Sequence, residues 1–174
     1  AGIYAVAIRA AELLTFVLAA VNTVIAPRVA SYYYQGDSVR LQRLLSASAR
    51  RALLLTLPLG LMLIIAGPWL LNTVFGAEYA PGAIAMAILA GAQLVNVAAG
   101  SVGLVLNMTG HERITAWGVG LAAILNIALN ALLIPLWGIE GAAIATASSL
   151  VAWNLILWLA VRRHLGLRPS ALGI

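Results

Sequence analysis

The chain has 174 residues, of which 63% are hydrophobic and 9% charged, and its mean hydropathy is +1.02. A soluble domain carries roughly 25% charge, so the composition excludes a water-soluble fold and reads as an integral membrane protein. There is no cysteine, which excludes disulfides and thiolate metal sites. The net charge of +5 comes entirely from arginine.

The chain opens AGIYAV, without methionine or a basic leader, and is expected to begin inside a longer protein. Crossing a hydrocarbon core of about 30 Å takes roughly 20 apolar residues. Five stretches meet that demand, at about 3–28, 52–74, 82–108, 114–134 and 141–161. Their apolarity is continuous, whereas porin strands alternate every second residue. The expected fold is an all-α membrane bundle of five transmembrane helices, one domain over residues 1–174.

The first stretch carries Arg9 and Glu12 inside an apolar run. At a rise of about 1.5 Å per residue they sit on the order of 10 Å in from residue 3. Their spacing of three places both on one helical face, within pairing distance. Charge at such depth usually faces a protein interior or a watery cavity. Pro27 is expected to end this helix, and Gly36 and Asp37 supply a turn and an N-cap. Beyond them Leu41, Leu44 and Leu45 fall on one face and Arg40, Arg43 and Arg50 elsewhere. That pattern predicts a short interfacial amphipathic helix at about 38–50, the alternative being a solvated loop that continues into the next span.

The second stretch contains Pro58 and Pro68, either of which can bend a helix. The third carries Gln93 and Asn96 three apart, then Gly100, Ser101, Gly103 and Asn107. The fourth carries Asn126 and Asn130 one turn apart. In the fifth, Gly141, Ala145 and Ser149 recur every four residues, a face built for close helix contact. Trp137, Trp153 and Trp158 are expected near the membrane interfaces.

Arginine placement sets the expected orientation. Arg28, Arg40, Arg43, Arg50 and Arg51 lie at the first break, Arg113 at the third, and Arg162, Arg163 and Arg168 in the tail. The intervening breaks hold Glu78 and Glu140 and no arginine. The positive-inside rule puts the N-terminus outside and the C-terminus in the cytoplasm. It also accounts for the positive charge without nucleic acid, since no stacking aromatics interleave the arginines. Arg40, Arg43, Arg50, Arg51, Arg162 and Arg163 are expected to meet anionic lipid head groups.

No Ser-His-acid arrangement, paired loop acids, phosphate loop or metal motif is present, so neither catalysis nor a cofactor is expected. What remains is polarity within apolar spans: Arg9, Glu12, Asn22, Gln93, Asn96, Asn126 and Asn130. Arg9 and Glu12 could simply neutralise one another, and the amides could serve as packing glue. Alternatively, these seven line a path for substrate, Arg9 attracting an anion and Glu12 orienting it or taking part in ion coupling.

GIYAVAIRAAELLTF, the FGAEY turn, ILAGAQLVN with GSVG, MTGHE and IPLWGIEGAAIAT resemble the C-terminal half of bacterial polysaccharide exporters. These belong to the multidrug/oligosaccharidyl-lipid/polysaccharide superfamily, in its O-antigen and capsule flippase branch. The resemblance implies a partial C-terminal lobe of a 12–14-helix transporter of the bacterial inner membrane. The lobe would work with an N-terminal helical bundle of the same protein, by alternating access. It implies a lipid-linked oligosaccharide of undecaprenyl-diphosphate type as substrate, with Arg9 the candidate for the diphosphate. The alternatives are a drug/cation antiporter of the same superfamily, which would favour acids over arginine, and a non-transporting membrane scaffold. A membrane glycosyltransferase ranks below both.

Overall fold

A computed structural model describes residues 2–173, and over those residues the chain is helical with no strand. The first helix, α1 (Gly2–Tyr34), is about 50 Å long at the usual rise. It does not end at Pro27 but passes through it, stopping where Gly36 turns the chain at φ 72°. Asp37 then caps the second helix as expected, its Oδ1 accepting from the Arg40 amide at 2.9 Å.

That second helix, α2 (Ser38–Ile65), corrects one expectation. Residues 38–50 are not a separate interfacial helix; they are the first half of α2. Nothing between Arg50 and Ala52 breaks the helix, and Leu41, Leu45, Ser48, Ala49, Ala52 and Thr56 form one unbroken buried stripe. The arginines at 40, 43, 50 and 51 stay exposed beside it.

Two spans read as continuous are interrupted. The stretch 52–74 divides at Ala66, because Pro68 opens a new helix, α3 (Gly67–Phe75), near its first turn. After a 3₁₀ turn at Ala77–Gly82 comes α4 (Ala83–Ala99), and the stretch 82–108 breaks at Gly100 before α5 (Val102–Met108). Gly100 sits at φ 80°, where a Cβ would be strained and would overlap the Pro169 carbonyl.

The last helix, α6 (Glu112–Leu165), has 54 residues and would be about 80 Å long if straight. It is folded at Gly138 (φ 55°, ψ −125°). A Cβ on Gly141 would overlap the Leu133 carbonyl, and one on Gly118 would stand 2.9 Å from a Leu157 methyl. Both pairs are nearly symmetric about residue 138, so α6 is a hairpin with arms 112–137 and 139–165. The small-residue face does what its spacing predicts: Gly141, Ala145 and Ser149 are all buried.

Four helical stretches, Gly2–Tyr34, Ser38–Ile65, Ala77–Ala99 and Glu112–Leu165, are long and apolar enough to cross a membrane. The hub is α4, which packs against α1, α2 and α6. One end of the bundle gathers the start of α1, the 3₁₀ turn and the beginning of the second arm of α6. There Tyr4 Oη meets Thr146 Oγ1 at 3.0 Å, and Gly2 lies beside Tyr79. The other end holds the α1–α2 turn, the 109–111 turn and the tail. There the His111 and His164 rings meet at a tilt of 60°, their centroids 5.6 Å apart.

The tail is not a free extension. Gln42 clamps the Arg168 backbone in both directions, Nε2 donating to its carbonyl and Oε1 accepting from its amide, each at 2.7 Å. The Ala171 amide donates to the Ala98 carbonyl at 2.9 Å, beside the Gly100 break. Leu167, Pro169 and Ala171 are buried as a result.

Candidate functional site

The seven polar residues singled out from the sequence fall into two sites and one isolated pair. The first site lies on α1. Arg9 Nη1 bonds Glu12 Oε2 at 2.9 Å, the i,i+3 pair expected from the spacing. The pair is not buried within this chain: the Arg9 side chain is 82% exposed and that of Glu12 42%. Arg9 stands on the lip of a groove of about 570 Å³ between α1, α2 and α3, whose lining is otherwise apolar, including Val6, Leu13, Met62, Leu71 and Phe75. A guanidinium is the one polar group on that surface. It has donors to spare beyond the one given to Glu12.

The second site is a polar pocket of about 250 Å³ where α1, α4, α5 and both arms of α6 meet. It draws in two of the expected residues, Asn22 and Asn96. Asn22 Oδ1 accepts from Ser101 Oγ, tying α1 to the broken helix segment. Asn96 Nδ2 donates to Gln93 Oε1 at 3.2 Å along α4, so Gln93 supports the pocket without lining it. Asn96 Oδ1 in turn accepts from Asn154 Nδ2 at 2.9 Å, across to α6.

Five polar or aromatic residues of this pocket lay outside the sequence-derived set: Ser101, Asn107, Thr115, Trp153 and Asn154. Asn154 carried a legible signal, as an amide deep in an apolar span that stands against Asn96 once the helices pack. Trp153 departs from its expected interfacial role. It lines the pocket, and its Nε1, like Thr115 Oγ1, is buried without a hydrogen-bond partner. Only the packing of the α6 hairpin could reveal that.

Asn126 and Asn130 are not brought to either site. Asn130 Nδ2 donates to Asn126 Oδ1 and to the Asn126 carbonyl, both at 2.9 Å, so the two amides satisfy one another along the first arm of α6. Along α1, Arg9 and Asn22 are separated by about 20 Å of helix. The structure thus holds an apolar groove with Arg9 at its lip near one end and an uncharged amide pocket toward the other.

Comparison with known proteins supports the kinship. Residues 1–84 match the family described as polysaccharide biosynthesis protein. The flippase-like, polysaccharide-biosynthesis kinship read from the sequence is borne out. The chain is also 28% identical over 156 residues to a protein of Haloferax volcanii named "Probable low-salt glycan biosynthesis flippase Agl15". That alignment covers 90% of this chain and 33% of the relative, so the chain spans about a third of the length of the curated protein it matches. No solved structure matches it. The family match covers α1 to the start of α4, including the Arg9 groove, while the longer alignment extends the likeness over most of the chain.

Proposed function

We propose that this chain is part of a flippase that carries a lipid-linked oligosaccharide across a membrane for polysaccharide biosynthesis. The observation that carries the reading is Arg9 at the edge of a 570 Å³ apolar groove. A polyprenyl diphosphate has a long apolar tail and a compact anionic joint. An apolar channel with one guanidinium at its rim complements both features, since guanidinium recognises phosphate through paired N–H donors. Glu12, holding one of those donors, orients the Arg9 head and is the group through which an ion could couple to transport.

On this reading the chain crosses the membrane five times, with the N-terminus outside and the C-terminus in the cytoplasm. The folded α6 supports two of those crossings, because each arm is 26 or 27 residues long, enough to span about 30 Å. The arginines support the orientation: every one except Arg9 lies in the halves of α1 and α2 nearer their shared turn, in the first or last turn of α6, or in the tail. Arg40, Arg43, Arg50, Arg51, Arg162 and Arg163 would meet anionic head groups. The exposed apolar side chains of the first α6 arm, such as Trp117, Ile124 and Ile127, would face lipid or the N-terminal bundle of a 12–14-helix transporter. The Haloferax relative is archaeal, so kinship carries glycan and membrane, and a bacterial inner membrane rests on the sequence resemblance alone.

The test is Arg9→Ala in the full-length protein. Surface polysaccharide should disappear while membrane insertion and protein level are unchanged. Normal polysaccharide in that variant would remove Arg9 from the substrate path and take this reading's main support with it.

A further inference from the structure

We propose that the amide pocket behind Gly100 is a binding subsite for a single neutral sugar ring of the transported glycan. This rests on the flippase reading and adds to it where the sugar, as opposed to the phosphate, is gripped.

The pocket contains no charged side chain. Phosphate and carboxylate therefore have no counter-ion here. A metal cation is disfavoured for a different reason. Asn22 Oδ1 and Asn96 Oδ1 already accept hydrogen bonds, from Ser101 and Asn154. The indole N–H of Trp153 is a donor without an acceptor, and a donor offers a cation no ligand. What stays uncommitted is a mixture: donors at Trp153 Nε1 and Asn22 Nδ2, an acceptor at Asn154 Oδ1, and both kinds at Thr115 Oγ1 and Asn107.

Donors and acceptors side by side, without net charge and beside an aromatic ring, match a polyhydroxylated ring. Each sugar hydroxyl both donates and accepts, and the C–H faces of a pyranose lie well on an indole. The volume, about 250 Å³, is below the roughly 300–1,000 Å³ of drug-sized sites, which suits one ring and not an oligosaccharide. Buried amides in such a site are rigidly held, because Asn154 is also tied to the Leu150 carbonyl at 2.9 Å. A buried donor without a partner leaves its desolvation uncompensated, and a ligand supplying acceptor oxygens removes that cost.

The experiment uses the full-length protein carrying Gly103→Cys. Gly103 lines the pocket, and a Cβ there would meet only Leu157 at 3.6 Å and Thr115 at 3.8 Å, ordinary contact distances. Maleimide labelling is timed in proteoliposomes with glucose, galactose, mannose or N-acetylglucosamine, with sorbitol as an osmotic control. At least one ring sugar should slow labelling, and Trp153→Phe with Thr115→Val should weaken that protection by about threefold or more per lost hydrogen bond. Arg9→Ala should leave it intact. Protection by sodium over potassium in place of sugar would make the pocket a cation site and overturn the proposal. So would no protection by any of the four sugars. Loss of export in Arg9→Ala alongside normal export in the Trp153/Thr115 variant would sink the sugar subsite while leaving the flippase reading standing.

Discussion

Asn154 Nδ2 donates to Asn96 Oδ1 at 2.9 Å, joining the last helical arm to the hub helix through a side chain only 4% exposed. This bond is interhelical and buried, while the amide pair on the first α6 arm is local and half-buried. Asn154→Ala should therefore lower stability by about 1–2 kcal/mol, the range for losing one partner of a buried amide bond in a membrane bundle. Asn130→Ala should cost less than half as much. Thermal unfolding of the two variants in detergent gives the comparison, and equal losses would contradict the assignment of Asn154 as a tie between helices.

The hairpin in α6 depends on Gly141, whose position leaves no room for a Cβ against the Leu133 backbone. Gly141→Val should splay the arms and destabilise the bundle by about 1–3 kcal/mol, as overpacking does. A thiol cross-link between cysteines at 118 and 157 should form in the parent and fail in this variant. A cross-link that persists in Gly141→Val would mean that the arms close without that contact.

The docked tail makes its own prediction. Gln42→Ala removes the two shortest hydrogen bonds to the Arg168 backbone, leaving the 3.3 Å bond from Ser46 Oγ, and Gly100→Val forces a β-branched residue to φ 80° against Pro169. Either change should release residues 167–171. A cysteine at Ala171, buried in the parent, should then react with maleimide several-fold faster, whereas Arg43→Ala on the exposed face of α2 should leave that rate unchanged.

The Arg9–Glu12 pair should matter for transport and hardly at all for folding. Both side chains are largely exposed, and ion pairs of that kind contribute less than about 1 kcal/mol. Glu12→Gln should leave the unfolding temperature within error. If Glu12 couples an ion, flipping in that variant should stop responding to an imposed pH or sodium gradient. An unchanged response would leave Glu12 as a partner for Arg9 and nothing more.

Orientation has a direct check. Cysteines replacing Glu78 and Glu140 should label from one side of the membrane, and one replacing Arg113 from the other. Labelling of 78 and 140 from opposite sides would show that α6 does not fold back across the bilayer.

Much of this was legible from residue order because it follows from local chemistry. Apolar runs of span length, the three-residue spacing of Arg9 and Glu12, the Asp37 cap and the 141–145–149 small face all depend on neighbours within two helical turns. The sorting of arginine from glutamate between alternate breaks follows from charge repeated along the chain. The errors arose where distant segments decide. Helix continuity through Pro27 and across residues 50–52 is held by burial against other helices, which no local pattern reports. The breaks at Ala66 and Gly100 sit inside apolar runs that look unbroken when only hydropathy is read. The tail reads as a basic, solvated end, yet its backbone hydrogen bonds go to Gln42 and Ala98, over 70 residues away in each case. The pocket is the clearest instance. Asn22, Asn96, Ser101, Thr115, Trp153 and Asn154 come from three helices and the break before α5, and only folding α6 at Gly138 brings its two contributions, Thr115 and Trp153–Asn154, to the same wall. Sequence by itself determined an apolar helical protein of span-length stretches with an Arg9–Glu12 pair on its first helix, because composition and period are local properties. Which polar groups share a cavity was decided by tertiary packing, because that depends on where a glycine lets one helix turn back on itself.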